Sequence, residues 1–282
     1  IIMAKKPFSS RVRNAVFIVL SFLLTLILFL FSVCTVLEAT LFNPEFIFDN
    51  MNSSNYFIDK SDEITTSLID LGYASGLDEK FFDDFIDEVM LCDDTREYLD
   101  NYYSGNGAKI DTTDFKQSFN AELDKYIQEN NIKNVNGKSR DKLVNKAAQI
   151  YRSSLEIPLF SRLSAYFLTA KNAMPFIIVG LVVLAGVICV VLIFANKWKH
   201  RGVKYICYST SGAFLALGII PAYLMITGKI SHLDLDSRAL YNMFVQSANS
   251  ICIAVLFISL FFLLVSVGLF FLFRRMYKKV RS

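Results

Sequence analysis

The chain has 282 residues, 54% hydrophobic and 20% charged, with a formal net charge of +3 and a mean hydropathy of +0.40. Soluble globular chains carry about 45–50% apolar and about 25% charged residues. Here the apolar excess is gathered in four runs near the ~20 residues that cross a bilayer, which excludes an ordinary soluble enzyme, a disordered chain and a collagen-like chain.

Residues 1–14 form a basic leader with Lys5, Lys6, Arg11 and Arg13. The run at 15–36 holds no Asp, Glu, Lys, Arg or His, and the first span is placed at 15–38, ending on Glu38. The 22 residues of the run at 15–36 exceed the roughly 7–15 of a signal-peptide core, so a retained anchor is expected. A helix of this length, at about 1.5 Å per residue, crosses a hydrocarbon layer of about 30 Å.

Residues 43–172 form a 130-residue segment, long enough for a core of its own. An α-helical extracellular domain is expected here. Ser61-Asp62-Glu63 reads as a helix start, with Gly72 after the last turn. Leu77, Phe81, Phe82, Phe85, Ile86 and Val89 fall on one face of a helix that would run over 77–89, with Asp83, Asp84, Asp87 and Glu88 opposite. A third helix is expected over 94–103, ended by the glycines at 105 and 107. A fourth opens at Asp111-Thr112-Thr113-Asp114 and buries Phe115, Phe119, Leu123, Tyr126 and Ile127. A fifth is expected over 139–156, closed by Pro158. The Asn-rich stretch at 130–137 is the expected loop.

Spans two, three and four follow at 175–195, 205–226 and 251–273. They are joined by a basic loop at 196–204 and a short outer loop at 227–250, and a basic tail at 274–282 follows. The overall expectation is an all-α fold with four transmembrane helices and a helical domain inserted between the first two. Lys197, Lys199, Arg201 and Lys204 lie in the basic loop, and Arg274, Arg275, Lys278, Lys279 and Arg281 in the tail. With the leader, these segments carry 13 basic residues and no acidic one. The positive-inside rule puts both termini in the cytoplasm. The other side holds 25 of the 26 acidic residues, and the 43–172 segment has a net charge of −9. The basic rim should attract anionic lipid headgroups at about 1 kcal/mol per residue.

Four of the five cysteines lie in the spans and only Cys92 in the inserted segment, so that segment has no internal disulfide. With the richness in Phe, Ile, Asn, Lys and Asp, this points to a bacterial plasma membrane.

Candidate metal ligands are Asp83, Asp84, Asp87 and Glu88 in the acidic run, and His232, Asp234 and Asp236 in the short outer loop. Carboxylates in number hold Ca²⁺, and His with carboxylates holds Zn²⁺. The favoured reading of both groups is plain: a solvated helix face and a polar hairpin. Span three carries small residues at helical spacing, Ser209-x-x-x-Ala213 and Gly212-x-x-x-Ala216. They are expected to form a helix-packing or oligomer interface. No span has a charged residue at its middle, which disfavours coupled transport. Motifs of membrane hydrolases, redox proteins and nucleotide-binding enzymes are absent, and no cofactor or nucleic-acid role is expected.

The order of one span, a large outer domain and three more spans, with both ends inside, is similar to that of FtsX-type proteins. These couple a cytoplasmic ATPase to extracellular cell-wall hydrolases. The similarity is one of topology, carried by no residue motif, and transfers no functional residue. The expected function is a non-enzymatic membrane protein whose acidic outer domain is an interaction or sensory module, with a partner protein or a second copy of the chain. The alternatives are a channel or transporter subunit and an FtsX-like accessory.

Overall fold

The computed structural model describes residues 10–83, 85–107, 109–132, 136–157, 160–196 and 198–281. Among them the fold is all-helical, without strands. The α-helices are α1 Ser10–Ala39, α2 Pro44–Ser53, α3 Tyr56–Tyr73, α4 Glu88–Ser104, α5 Thr113–Glu129, α6 Gly137–Leu155, α7 Phe160–Phe194, α8 Lys199–Thr227 and α9 Arg238–Arg281. Four stretches are long and apolar enough to cross a membrane: Val12–Ala39, Ala165–Phe194, Lys199–Thr227 and Arg238–Lys279.

The chain divides into two compact units. The span unit comprises residues 1–41, 172–232 and 248–282. The inserted unit comprises 42–171 together with 233–247. Residues 233–247, read from the sequence as part of an outer loop, thus cluster with the inserted helices, and α9 starts 13 residues before the fourth apolar run at 251.

Caps set the boundaries of the inserted helices. Asn43 accepts from the Glu45 amide with Pro44 in the first turn, which opens α2, a helix the sequence reading did not anticipate. Asn55 takes φ 58°, the left-handed conformation, and separates α2 from α3. Asp111 accepts from the amide and the hydroxyl of Thr113 at the start of α5. Asn136 caps α6 through the Lys138 amide.

The expected helix over 77–89 does not form. A 3₁₀ turn occupies Glu79–Phe82, Asp83 is extended, and α4 begins at Glu88. Two aspartates divide the run: Asp78 accepts from the Glu79 amide at 2.8 Å, and Asp87 from the Val89 amide at 3.1 Å. Each offers the backbone a helix start, so the segment breaks twice. Its apolar side chains are still drawn inward. Leu77, Phe81, Phe82 and Ile86 are buried, whereas Val89 stands 63% exposed. Phe81 and Phe85 meet Phe119 of α5 edge-on at 5.4 Å. Gly72 of α3 lies against the Phe82 ring, where a Cβ would collide.

The core of the inserted unit is aromatic, with Tyr56, Phe82, Tyr98, Phe115, Phe119 and Tyr151 almost fully buried. Ala239 and Met243 of α9 belong to the same core. In the span unit, α1 and α8 pack against each other. Phe17, Leu24 and Ile27 of α1 pack with Ile188 and Leu192 of α7. Ala213 and Leu217 of α8 pack with Phe262 of α9.

Candidate functional site

The strongest concentration of buried polar chemistry lies where α3 meets the first turn of α9, inside the inserted unit. Ser237 precedes α9, and its hydroxyl accepts from the Leu240 amide at 3.2 Å, a capping interaction. A second acceptor comes from another helix. The Glu63 carboxylate of α3 accepts from the Ala239 amide at 3.1 Å and from the Ser237 hydroxyl at 2.8 Å. The first turn of a helix exposes amides without intrahelical partners and carries positive partial charge, so a carboxylate there is doubly favoured.

Glu63 also binds Lys60, one turn back on α3. The ammonium donates to Oε2 at 2.8 Å and lies 3.4 Å from Ser237 Oγ. Lys60 is 4% exposed. A cation so buried needs a paired carboxylate, and among the described residues Glu63 is the one that supplies it. Burial raises the Glu63 pKa. Hydrogen bonds from Lys60, Ala239 and Ser237, with the Lys60 charge, outweigh that and hold it below the ordinary carboxylate value.

Asp59, a turn earlier, extends the contact. It accepts from the Asn242 amide group at 2.7 Å and pairs with the Arg238 guanidinium at 3.2 Å. The Arg238 side chain is 80% exposed, whereas Asp59 is almost covered. An open cleft of about 490 Å³ runs beside these groups, lined by Asp59, Asp62, Glu63, Asp236, Ser237 and Arg238 among others. Among the described residues that line it are four carboxylates and one cation, the exposed Arg238. Chemically it suits a cationic group that competes with Arg238 for Asp59. Nearby, the Tyr56 hydroxyl is buried without a partner among the described residues, and burial, followed by the charges of Glu63 and Tyr98, raises its pKa.

A second polar pocket, of about 170 Å³, is lined by Asp94, Glu97, Asp111, Asp114 and Lys109 among others. The buried Tyr151 donates its hydroxyl to Asp94 at 2.5 Å. Burial raises the Asp94 pKa. The Tyr151 hydrogen bond opposes this, while the charges of Glu97, Asp114 and Asp93 reinforce it.

Among the residues singled out from the sequence, Asp83, Asp87 and Glu88 are exposed on either side of the break before α4, and Asp84 lies outside the described residues. His232, Asp234 and Asp236 are exposed, and the His232 ring contacts the Gly228 carbonyl at 3.1 Å. Among the described residues no group of three or more such side chains is arranged to hold a metal ion.

In span three, Ser209 is fully buried and bonds the Ser21 carbonyl of α1 at 2.7 Å, with Thr25 donating back to the Ser209 carbonyl at 3.3 Å. Gly212 lies so close to Thr25 that a Cβ would approach Cγ2 to 2.9 Å. Ala213 is buried and Ala216 exposed. On another side of α8, Ser211 and Ser266 share a hydrogen bond of 2.5 Å. Of the basic rim, Arg13, Lys199, Arg201, Lys204, Arg274, Arg275, Lys278 and Lys279 are exposed. Lys5, Lys6 and Lys197 lie outside the described residues, as do the side chains of Arg11 and Arg281. The Glu38 carboxylate has one buried oxygen without a partner among the described residues.

Sequence reasoning took Glu63 only as a first-turn acid and did not single out Asp59, Ser237 or Asn242. One signal was available: Asp236-Ser237 directly before an unbroken helix-compatible run is a helix start. No family model, curated protein or solved structure matches the chain.

Proposed function

We propose that the chain is a multi-pass plasma-membrane protein, of bacterial type, whose helical unit stands outside the cell as an interaction or sensory module. In this reading both termini are cytoplasmic and the protein is not an enzyme. The distribution of charge supports the orientation: basic residues without acidic ones flank the apolar runs on one side, and the acidic −9 segment lies on the other. One observation carries the functional part. The side chains that line the cleft, Glu63 and Asp59, also hold the first turn of α9, and the same helix continues as a candidate membrane span. A partner bearing a cationic group would displace Arg238 from Asp59 and loosen that turn. Recognition at the cleft would then alter the start of a transmembrane helix.

Two measurements on the full chain test the reading. In intact cells, with Cys92 replaced by C92S, a membrane-impermeant maleimide should label S153C in the inserted unit, and K279C only after permeabilisation. The reverse pattern overturns the orientation. In purified protein, E63Q should speed amide exchange at the start of α9 and also beyond residue 247. A change confined to 238–247 overturns the sensory reading.

A further inference from the structure

The span unit holds a second cluster, which the proposed function does not use. Trp198 occupies the N-cap of α8, and no side chain caps that helix start. His200, in the first turn, is 8% exposed and has no hydrogen bond among the described residues. Three rings gather around it: Trp198 at 6.1 Å and, from α9, Phe273 at 6.2 Å and Tyr277 at 5.7 Å between centroids. Exposed cations flank this aromatic box on both helices, Lys199, Arg201 and Lys204 on α8 and Arg274, Arg275 and Lys278 on α9.

None of these cations has an ion-pair partner among the described residues. The sequence itself supplies no acid between Glu156 and Asp234, nor after Asp236. Like charges crowded at one end of a helix pair repel unless an anion joins them. The uncapped start of α8 adds positive partial charge at the same place. The His200 ring nitrogens have no hydrogen-bond partner among the described residues, so the imidazole can donate to an anion at this place. The cluster also sits at the ends of two stretches apolar enough to cross a membrane. Trp and Tyr favour the headgroup level there, so the anion within reach is a lipid phosphate.

We infer that the start of α8 and the end of α9 form a discrete site for the headgroup of one anionic phospholipid, with His200 as a donor to its phosphate. This goes beyond diffuse attraction to a charged surface. It rests on the proposed reading that α8 and α9 cross a bilayer, which alkaline carbonate extraction of membranes checks separately.

Trp198 is the sole tryptophan of the chain, so its fluorescence reports on the site directly. The test titrates the full chain, in a neutral detergent, with brominated phosphatidylglycerol or brominated phosphatidylcholine. Phosphatidylglycerol is expected to quench Trp198 saturably, at a mole fraction lower by about fivefold or more. R274Q and K278Q should each weaken this by about fivefold. H200F should weaken it while retaining the ring packing, and K229Q, a control away from the cluster, should leave it unchanged. Equal quenching by the two lipids overturns the inference, and this comparison needs no variant. So does an equal loss in K229Q, full preference in a folded H200F, or displacement by free glycerol phosphate at concentrations comparable to the lipid.

Discussion

The Glu63 carboxylate accepts a hydrogen bond from the backbone amide of Ala239 across 176 residues of sequence, at 3.1 Å. This one carboxylate serves two roles, closing the first turn of α9 and neutralising the buried Lys60. Removing its charge in E63Q leaves the Lys60 ammonium buried without a counter-ion, which should cost about 3 kcal/mol. Thermal unfolding of the full chain checks this. K60M, which removes the buried charge together with the need for its partner, should cost less than E63Q.

The same group fixes a pH dependence. Its native pKa is lowered, so its contribution is complete above the ordinary carboxylate range and is lost as pH falls through the native value. The wild-type chain should therefore lose stability more steeply in acid than E63Q. Equal acid slopes for the two proteins would contradict this.

Asp94 has the opposite sign. Its native pKa is raised, so the native state binds a proton more readily than the unfolded chain, and its ionisation costs stability as pH rises. D94N keeps an acceptor for Tyr151 and removes that cost. It should be neutral to stabilising near pH 7, by about 0.5 kcal/mol given the residue's access to solvent. Melting curves at two pH values check the sign.

Gly202 of α8 sits against the backbone of α7 at Leu192 and Ile193, where a Cβ would collide with the Leu192 carbonyl. An unhindered glycine-to-alanine change within a helix gains up to about 1 kcal/mol. Here G202A should instead destabilise by about 1–3 kcal/mol, because backbone cannot move aside as a flexible side chain can. Detergent-solubilised thermal stability gives the sign.

Ser21 and Ser209 hydroxyls lie 3.0 Å apart, within a cluster that also uses the Ser21 carbonyl. A double-mutant cycle of S21A and S209A should return a coupling of about 0.6 kcal/mol, the usual size for hydrogen bonds between membrane helices. A value indistinguishable from zero would remove these hydroxyls as an adhesive between α1 and α8.

Long-period patterns were legible in the sequence and short-range competition was not. Phe115, Phe119 and Leu123 repeat at four residues, and they are buried on α5 as that spacing requires. The run from Leu77 to Val89 has a comparable apolar pattern but also two aspartates that cap helix starts, and the local bonds prevailed over the period. The small residues of α8 announced a packing face, yet Ser209 is buried on α1 whereas Ala216 is exposed. Spacing defines a stripe along a helix but not where the neighbouring helix crosses it.

By itself the sequence determined that the chain is helical, that four stretches can span a bilayer, and that charge is sharply divided along it. Those properties depend on composition and period, which act locally. Only the tertiary structure decided that residues 233–247 belong with the inserted unit, and that Glu63, Lys60 and Asp59 converge on the start of α9. The physical reason is the distance along the chain. A carboxylate on α3 and an amide on α9 carry no mark of each other in sequence, and only the shared aromatic core that folds around Ala239 and Met243 brings them within hydrogen-bonding reach.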